Sequence, residues 1–173
     1  DYPYYGANFW LDREVPAHLG FYEPAGGGTP FAAGIKIHGL GTRILPQRSL
    51  RATARSRYGT DLIRYPLFPA LAVQEFNSII LRNGGNDWTF TFLRDPLMAV
   101  LCAPLGLDVQ AYRPCRSYLN GEYWGLINLR ERIDEHYIEQ HYAVSPDSVD
   151  ILENMAVATA GSAQDYIVFL DSL

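Results

Sequence analysis

Cysteine is scarce in this sequence: Cys102 and Cys115 are the only two, too few for a disulfide scaffold and without metal-ligand spacing. A bridge between them stays open, and with it the redox compartment. Lysine is scarcer still, since Lys36 stands alone against many arginines, which limits where a catalytic lysine could be placed. No apolar run approaches the roughly 20 residues that span a bilayer, so no membrane span is expected. No signal peptide is visible, and because the chain opens at Asp1 without Met a processed or trimmed start is expected. Positive charge is in deficit, with a net charge of −5, which argues against general nucleic-acid binding. Internal repeats and long low-complexity segments are absent. So are a nucleophile motif and a metal site. His136 and His141 do not share a helical face, and His38 has no serine or cysteine placed to complete a triad.

What remains is an ordinary globular composition, long enough for one domain or part of a larger one. The charge is uneven along it. Arg43, Arg48, Arg51, Arg55, Arg57 and Arg64 crowd a region in which Asp61 is the only acid. Further on, Glu131, Asp134, Glu135, Glu139, Asp147, Asp150 and Glu153 face Arg132 as the only base.

The most explicit local signal is Asn120-Gly121, the dipeptide of a type I′ hairpin, whose two central residues need φ > 0. It predicts strands over 113–119 and 122–129, then a short connection and a helix over 131–142. The connection at 129–132 is expected at an exposed sheet edge, where backbone groups are free to pair with a flat ligand. Upstream, residues 9–13 and 17–23 read as strands and Pro24–Gly28 as a flexible turn. Residues 34–38 and 48–54 read as strands around the loop 39–47. A short helix is expected over 70–76, a buried strand over 78–81 and a loop over 82–87. Asp95 before Pro96 suits an N-cap for a helix that ends by Gly106. A short strand around 149–152 and a last helix capped by Ser162 follow. That helix is still running at Leu173, so a further C-terminal part of the domain is expected.

Two loops could carry chemistry. Between strands, Gly39, Gly41, Thr42 and Arg43, with Arg48 at the mouth of the second strand, have the makings of a phosphate cradle. Glycines let backbone N–H groups approach an anion, and arginine forks match phosphate oxygens. It is not a Walker A loop, and the same residues also suit a hairpin loop with solvated arginines. The second loop, 82–87, is either a tight turn or a scaffold in which Asn83, Asn86 or Asp87 serves a polar site. Arg94 and Asp95 could form an ion pair beside it, though local chemistry favours Asp95 as the helix cap. Glu131 and Asp134, three apart at the expected helix start, complement the helix dipole. They are too close to straddle a sugar ring as glycosidase carboxylates do.

Taken together, three blocks resemble the signatures of the spore-coat-protein-H-like (CotH) kinase family. The first runs from Gly34-Ile-Lys-Ile-His-Gly39 through Thr42-Arg43 and Pro46-Gln-Arg-Ser-Leu50 to Ala54-Arg-Ser-Arg-Tyr-Gly59. The second is Leu81-Arg-Asn-Gly-Gly-Asn-Asp87 with Arg94-Asp95. The third runs from Asn120-Gly-Glu-Tyr-Trp-Gly125 to Arg130-Glu-Arg-Ile-Asp134, and Val149-Asp-Ile-Leu-Glu153 follows in register. The resemblance covers about residues 33–155. It implies an α+β fold with a mainly antiparallel sheet and packed helices, like the N-terminal part of an atypical protein kinase. Residues 1–32 would form a lead-in with the first strands, and 33–173 the N-terminal portion of the kinase domain. It further implies a bacterial, secreted or surface-associated protein, transfer of phosphate from ATP to Ser or Thr of a protein substrate, and Mg or Mn as metal. Gly39, Gly41, Thr42, Arg43 and Arg48 would meet the phosphates, and Leu129, Arg130 and Glu131 the adenine. Asn83, Asp87, Arg94 and Asp95 would support the site.

Two departures stand out. Arg48 replaces a lysine common in the first signature, and a fork is not equivalent to a mobile point charge at a phosphate. The family's catalytic and metal-binding aspartates have no counterpart before Leu173, so no catalytic residue is assigned within this segment. Its missing C-terminal part is then its first partner, and the segment alone is expected not to transfer phosphate. The rival reading is a non-catalytic extracellular module that uses the same fold for surface interaction.

Overall fold

A computed structural model describes residues 3–154 and 156–173. The chain divides into two compact units, residues 1–131 and 132–173. The first is built on a six-stranded sheet. Its strands are β1 (Glu14–Tyr22), β2 (Gly28–Ile37), β3 (Leu50–Thr53), β6 (Ser78–Arg82), β7 (Tyr112–Leu119) and β8 (Glu122–Glu131). They lie in the order β1-β2-β3-β6-β8-β7, and neighbouring strands run antiparallel. A separate two-stranded ladder joins β4 (Ile63–Arg64) to β5 (Glu75–Phe76), and α1 (Arg94–Cys102) precedes β7.

Alternation along the strands divides the sheet into two faces, because directly paired residues share a side. Leu19, Phe31, Ala33, Ala52, Ile79, Leu81 and Leu129 point to the core, where Ile63, Leu67, Phe68 and Phe76 from the 60–76 segment pack against them. Phe68 and Phe76 meet edge to face at 5.4 Å between centroids. The sheet curls around this core until its two edge strands approach each other. Arg113 on β7 pairs with Glu23, just after β1, donates to the Leu67 carbonyl at 3.2 Å and lies 5.1 Å from the Phe21 ring.

The opposite face carries charge. Reading across it, Glu14, Lys36, Arg51, Ile80, Arg130 and Tyr112 occupy successive paired positions. Among the described residues no helix is long and apolar enough to cross a membrane.

The Asn120-Gly121 turn forms as its composition requires, with φ of 52° and 85°. Other expectations are corrected. Residues 70–76 hold no helix, because Glu75 and Phe76 are drawn into the ladder with Ile63 and Arg64. Residues 9–13 hold no strand: Asn8–Trp10 form a 3-10 turn, and β1 begins only at Glu14. The question left open for Cys102 and Cys115 is answered, since both are free thiols.

The largest correction concerns residues 129–132. They form no exposed edge: β8 runs on to Glu131 and lies between β6 and β7, with Ile79, Ile80 and Leu81 opposite Glu131, Arg130 and Leu129. Leu129, Arg130 and Glu131 are all buried. The partner strand β6 comes from some 50 residues upstream, a pairing that local pattern does not reveal.

In the second unit, α2 (Glu135–Tyr142) begins later than expected. Asp134 is its N-cap and accepts from the N–H groups of His136 and Tyr137, both at 3.1 Å. Glu131 is therefore a strand residue and shares no helical face with Asp134. A hairpin of β9 (Ile151–Glu153) and β10 (Val157–Ala160) follows, then α3 (Gln164–Asp171). The Ser162 hydroxyl accepts from the Gln164 N–H at 3.1 Å, near the cap role expected of it.

Candidate functional site

The loops of the first two sequence signatures meet at one end of the sheet, and Asn83 joins them. Its side chain is fully buried. It donates to the Gln47 carbonyl at 2.6 Å, and its oxygen accepts from the Ser49 hydroxyl at 2.8 Å and the Gly85 N–H at 3.0 Å. The Asn83 N–H returns to the Ser49 hydroxyl at 3.0 Å. Buried polar groups persist only when satisfied, and here each member of the pair satisfies the other. Gln47 extends the join, donating to the carbonyls of Trp124 and Leu126 at 3.1 and 2.9 Å. The backbone of Gly125, at φ of 120°, leaves room for it: a Cβ there would stand 2.7 Å from the Gln47 side-chain nitrogen.

Within the first loop the two arginines have different fates. Arg43 is consumed by the protein. Its guanidinium donates to the carbonyls of Gly39, Ile37 and Phe9, the last two at 3.3 Å, which ties the loop to the end of β2 and to the Asn8–Trp10 turn. Arg48 is held but not consumed. Its Nε donates to the Arg43 carbonyl at 2.8 Å, and its guanidinium lies 4.4 Å from the Phe9 ring centroid. Among the described residues no protein acceptor meets its two terminal nitrogens, and the side chain is only half-buried. Gly39 adopts φ of 90°, and Gly41 and Thr42 open the 3-10 turn Gly41–Ile44. The first N–H groups of such a turn have no partner inside it. Leu40 at the tip is 80% exposed.

The second loop is a scaffold for α1. Asp87 is buried, and its carboxylate accepts from the N–H groups of Thr91, Leu93 and Arg94 at 3.3, 2.9 and 3.1 Å and from the Thr91 hydroxyl at 2.6 Å. It also pairs with Arg94 at 3.1 Å. Asp95, expected to be the cap, is already inside the helix, whose N-cap position is Leu93 with no side-chain bond. The capping carboxylate comes instead from Asp87. Asp95 turns to Arg82, which it accepts at 2.6 Å. Gly85, at φ of 63°, lets that pass: a Cβ there would lie 2.5 Å from the Arg82 guanidinium. Arg94 thus pairs with Asp87 and not with Asp95.

Arg130 and Glu131 serve the sheet interior. Glu131 accepts from the Ala111 N–H at 2.9 Å. Arg130 donates to the Gln110 side chain at 3.1 Å and stands 3.9 Å from Asp95. Burial pulls its guanidinium below its ordinary pKa, against the pull of Asp95. With their backbones inside a three-strand ladder, Leu129, Arg130 and Glu131 present no free edge to an adenine ring.

In the sequence Lys36 counts as the lone lysine and Arg51 among the crowded arginines, but neither is given a place in the site. Both lie on the charged face of the sheet, directly opposite each other, and Lys36 is paired with Asp12. The signal was legible as parity: each stands between two apolar residues of a strand and must point away from the core.

Burial pushes the Asp87 carboxyl up, but the Thr91 hydroxyl, the N–H groups of Arg94 and Thr91 and the Arg94 charge outweigh it and hold the pKa at about 2. Glu14 is similar: burial raises it, and Arg55, Arg57 and Tyr58 bring it to about 2. A carboxylate depressed in the folded state stabilises fully above its unfolded value, near 4, and loses that contribution as pH falls through about 2. Asp87→Asn is therefore expected to melt lower than the wild type at pH 7 and to lose less stability between pH 4 and 2. Thermal melts across that range check it, and an unchanged acid slope would count against the Asp87 cap.

Among the described residues no three His, Cys, Asp or Glu side chains converge on a point that could hold a metal ion. A family model described as CotH kinase protein matches residues 35–165, a span that takes in both loops, the hairpin and most of the second unit. No curated protein matches the chain.

Proposed function

The chain belongs to the CotH kinase protein family, and from that premise we propose that it forms the nucleotide-phosphate part of a kinase that transfers phosphate from ATP to Ser or Thr of a protein. The observation that supports this is the contrast between Arg43 and Arg48. One arginine is spent on bracing the loop. The other is braced and keeps its fork open, which is the form of charge that grips phosphate oxygens.

ATP supplies the phosphoryl group, and Arg48 with the leading N–H groups of the Gly41–Ile44 turn would hold its phosphates. The tethers of Arg43 and Asn83 mean that little loop freedom remains to be lost when phosphate binds. Among the described residues no group of His, Cys, Asp or Glu side chains forms a site for Mg or Mn. A location at a bacterial cell surface belongs to the same proposal and follows from family resemblance alone.

Ligand-linked melting tests the reading. At a hundredfold excess over its dissociation constant, a ligand that binds only the folded state adds about 2.7 kcal/mol of stability. Saturating ATP is expected to raise the melting temperature by several degrees, and adenosine to leave it nearly unchanged. No shift from ATP would favour the rival reading of an interaction module without nucleotide, and equal shifts from both would contradict a phosphate contact.

A further inference from the structure

The strand β1 is an edge strand, paired with β2 on one side and with no strand on the other among the described residues. Its far end, near Tyr22, is approached by Arg113 of β7 through Glu23. The near end, Glu14–His18, is open. Beside that end lies a groove of about 420 Å³ lined by Pro16, Ala17, His18, Ala32, Arg57 and Tyr58. Its lining is apolar apart from His18, Arg57 and the Tyr58 hydroxyl.

The charge around the groove is one-sided. Glu14, the acid beside it, is saturated: it accepts from Arg55 at 3.0 and 3.2 Å, from the Tyr58 hydroxyl at 3.0 Å and from Arg57. Two guanidinium groups against one carboxylate leave an excess positive charge. Arg57 is 62% exposed, stacks 4.8 Å from the Tyr58 ring centroid and gives only one of its nitrogens to Glu14. Pro16 adds a backbone argument. Proline is tolerated in a sheet where its nitrogen faces away from the ladder. Residues two and four further on share that orientation, so His18 and Gly20 turn their N–H and C=O groups to the open side.

A free edge, a groove for alternate side chains and a cationic rim are the parts of strand-addition recognition. We propose that β1 takes up an extended acidic segment of a partner protein as an added strand, with one of its side chains in the groove and its carboxylates against Arg57 and His18. Nucleotide plays no part in this contact, so it stands or falls apart from the role of Arg48.

The test uses the whole chain, labelled with nitrogen-15, titrated at constant ionic strength with a capped nonapeptide of alternating glutamate and valine. Amide shifts are expected at His18 and Gly20, with binding at least tenfold weaker for Arg57→Gln. The same peptide with lysine for glutamate should bind at least tenfold more weakly to the wild type. A version N-methylated at alternate residues should not bind, since it cannot form the strand bonds. Shifts that avoid β1, or equal affinity for the lysine or N-methylated peptide, would overturn the proposal. Because those peptide controls use the unaltered chain, they stand even if Arg57→Gln fails to fold.

Discussion

Asn83→Ala is expected to destabilise the first unit by about 3–5 kcal/mol, the largest effect of any single polar substitution in these loops. The side chain is fully buried and makes three hydrogen bonds. Its removal leaves the Gln47 carbonyl, the Ser49 hydroxyl and the Gly85 N–H short of a partner away from water. An unmade buried bond costs about 1–3 kcal/mol, more than the same bond contributes when formed, because the group left behind has lost its hydration. For a chain of this length the loss corresponds to roughly 10 °C in melting temperature. Thermal unfolding followed by circular dichroism measures it. A drop of only one or two degrees would mean that the two loops are not held together through Asn83.

Arg48→Ala is expected to cost about 1.5–3 kcal/mol of ATP affinity, the value of a hydrogen bond to a charged group, or roughly a tenfold to hundredfold weakening. Its effect on folding should be small, since it removes one bond to the Arg43 carbonyl and one ring contact with Phe9. Arg43→Ala should behave in the opposite way. Four carbonyls surround that guanidinium, from Phe9, Trp10, Ile37 and Gly39. Its loss frees the loop, lowers the melting temperature and weakens nucleotide binding only through the loosened backbone. The two variants together separate an arginine that contacts phosphate from one that shapes the cradle. A Lys at position 48 would keep the charge but lose the fork, and intermediate affinity is expected of it.

Local chemistry made much of this legible. The Asn-Gly turn, the strands on either side of it and the helix before Gly106 are consequences of residues close in sequence, and they formed as expected. Strand parity would have placed Lys36 and Arg51 as well. The family was legible from three blocks in register, and the family match bears it out.

What local pattern missed depends on distant partners. Of the edge expected at 129–132, residues 129–131 are enclosed because β6 arrives beside them, and nothing in residues 122–134 encodes that arrival. The segment 70–76 lost its helix to a short ladder with residues 63–64. Asp95 looked like a cap because it precedes Pro96, but a buried carboxylate seven residues before Arg94 reaches the same N–H groups first. For the same reason spacing alone could not tell Arg43 from Arg48. Their difference lies in which carbonyls the fold brings within reach.

Calorimetric titration of ATP into the wild-type and Arg48→Ala chains tests the central claim most directly. Measurable binding to the wild type, and at least tenfold weaker binding to Arg48→Ala with its melting temperature nearly unchanged, is the expected result. Equal affinity in the two chains, or no heat from ATP with either, would contradict it.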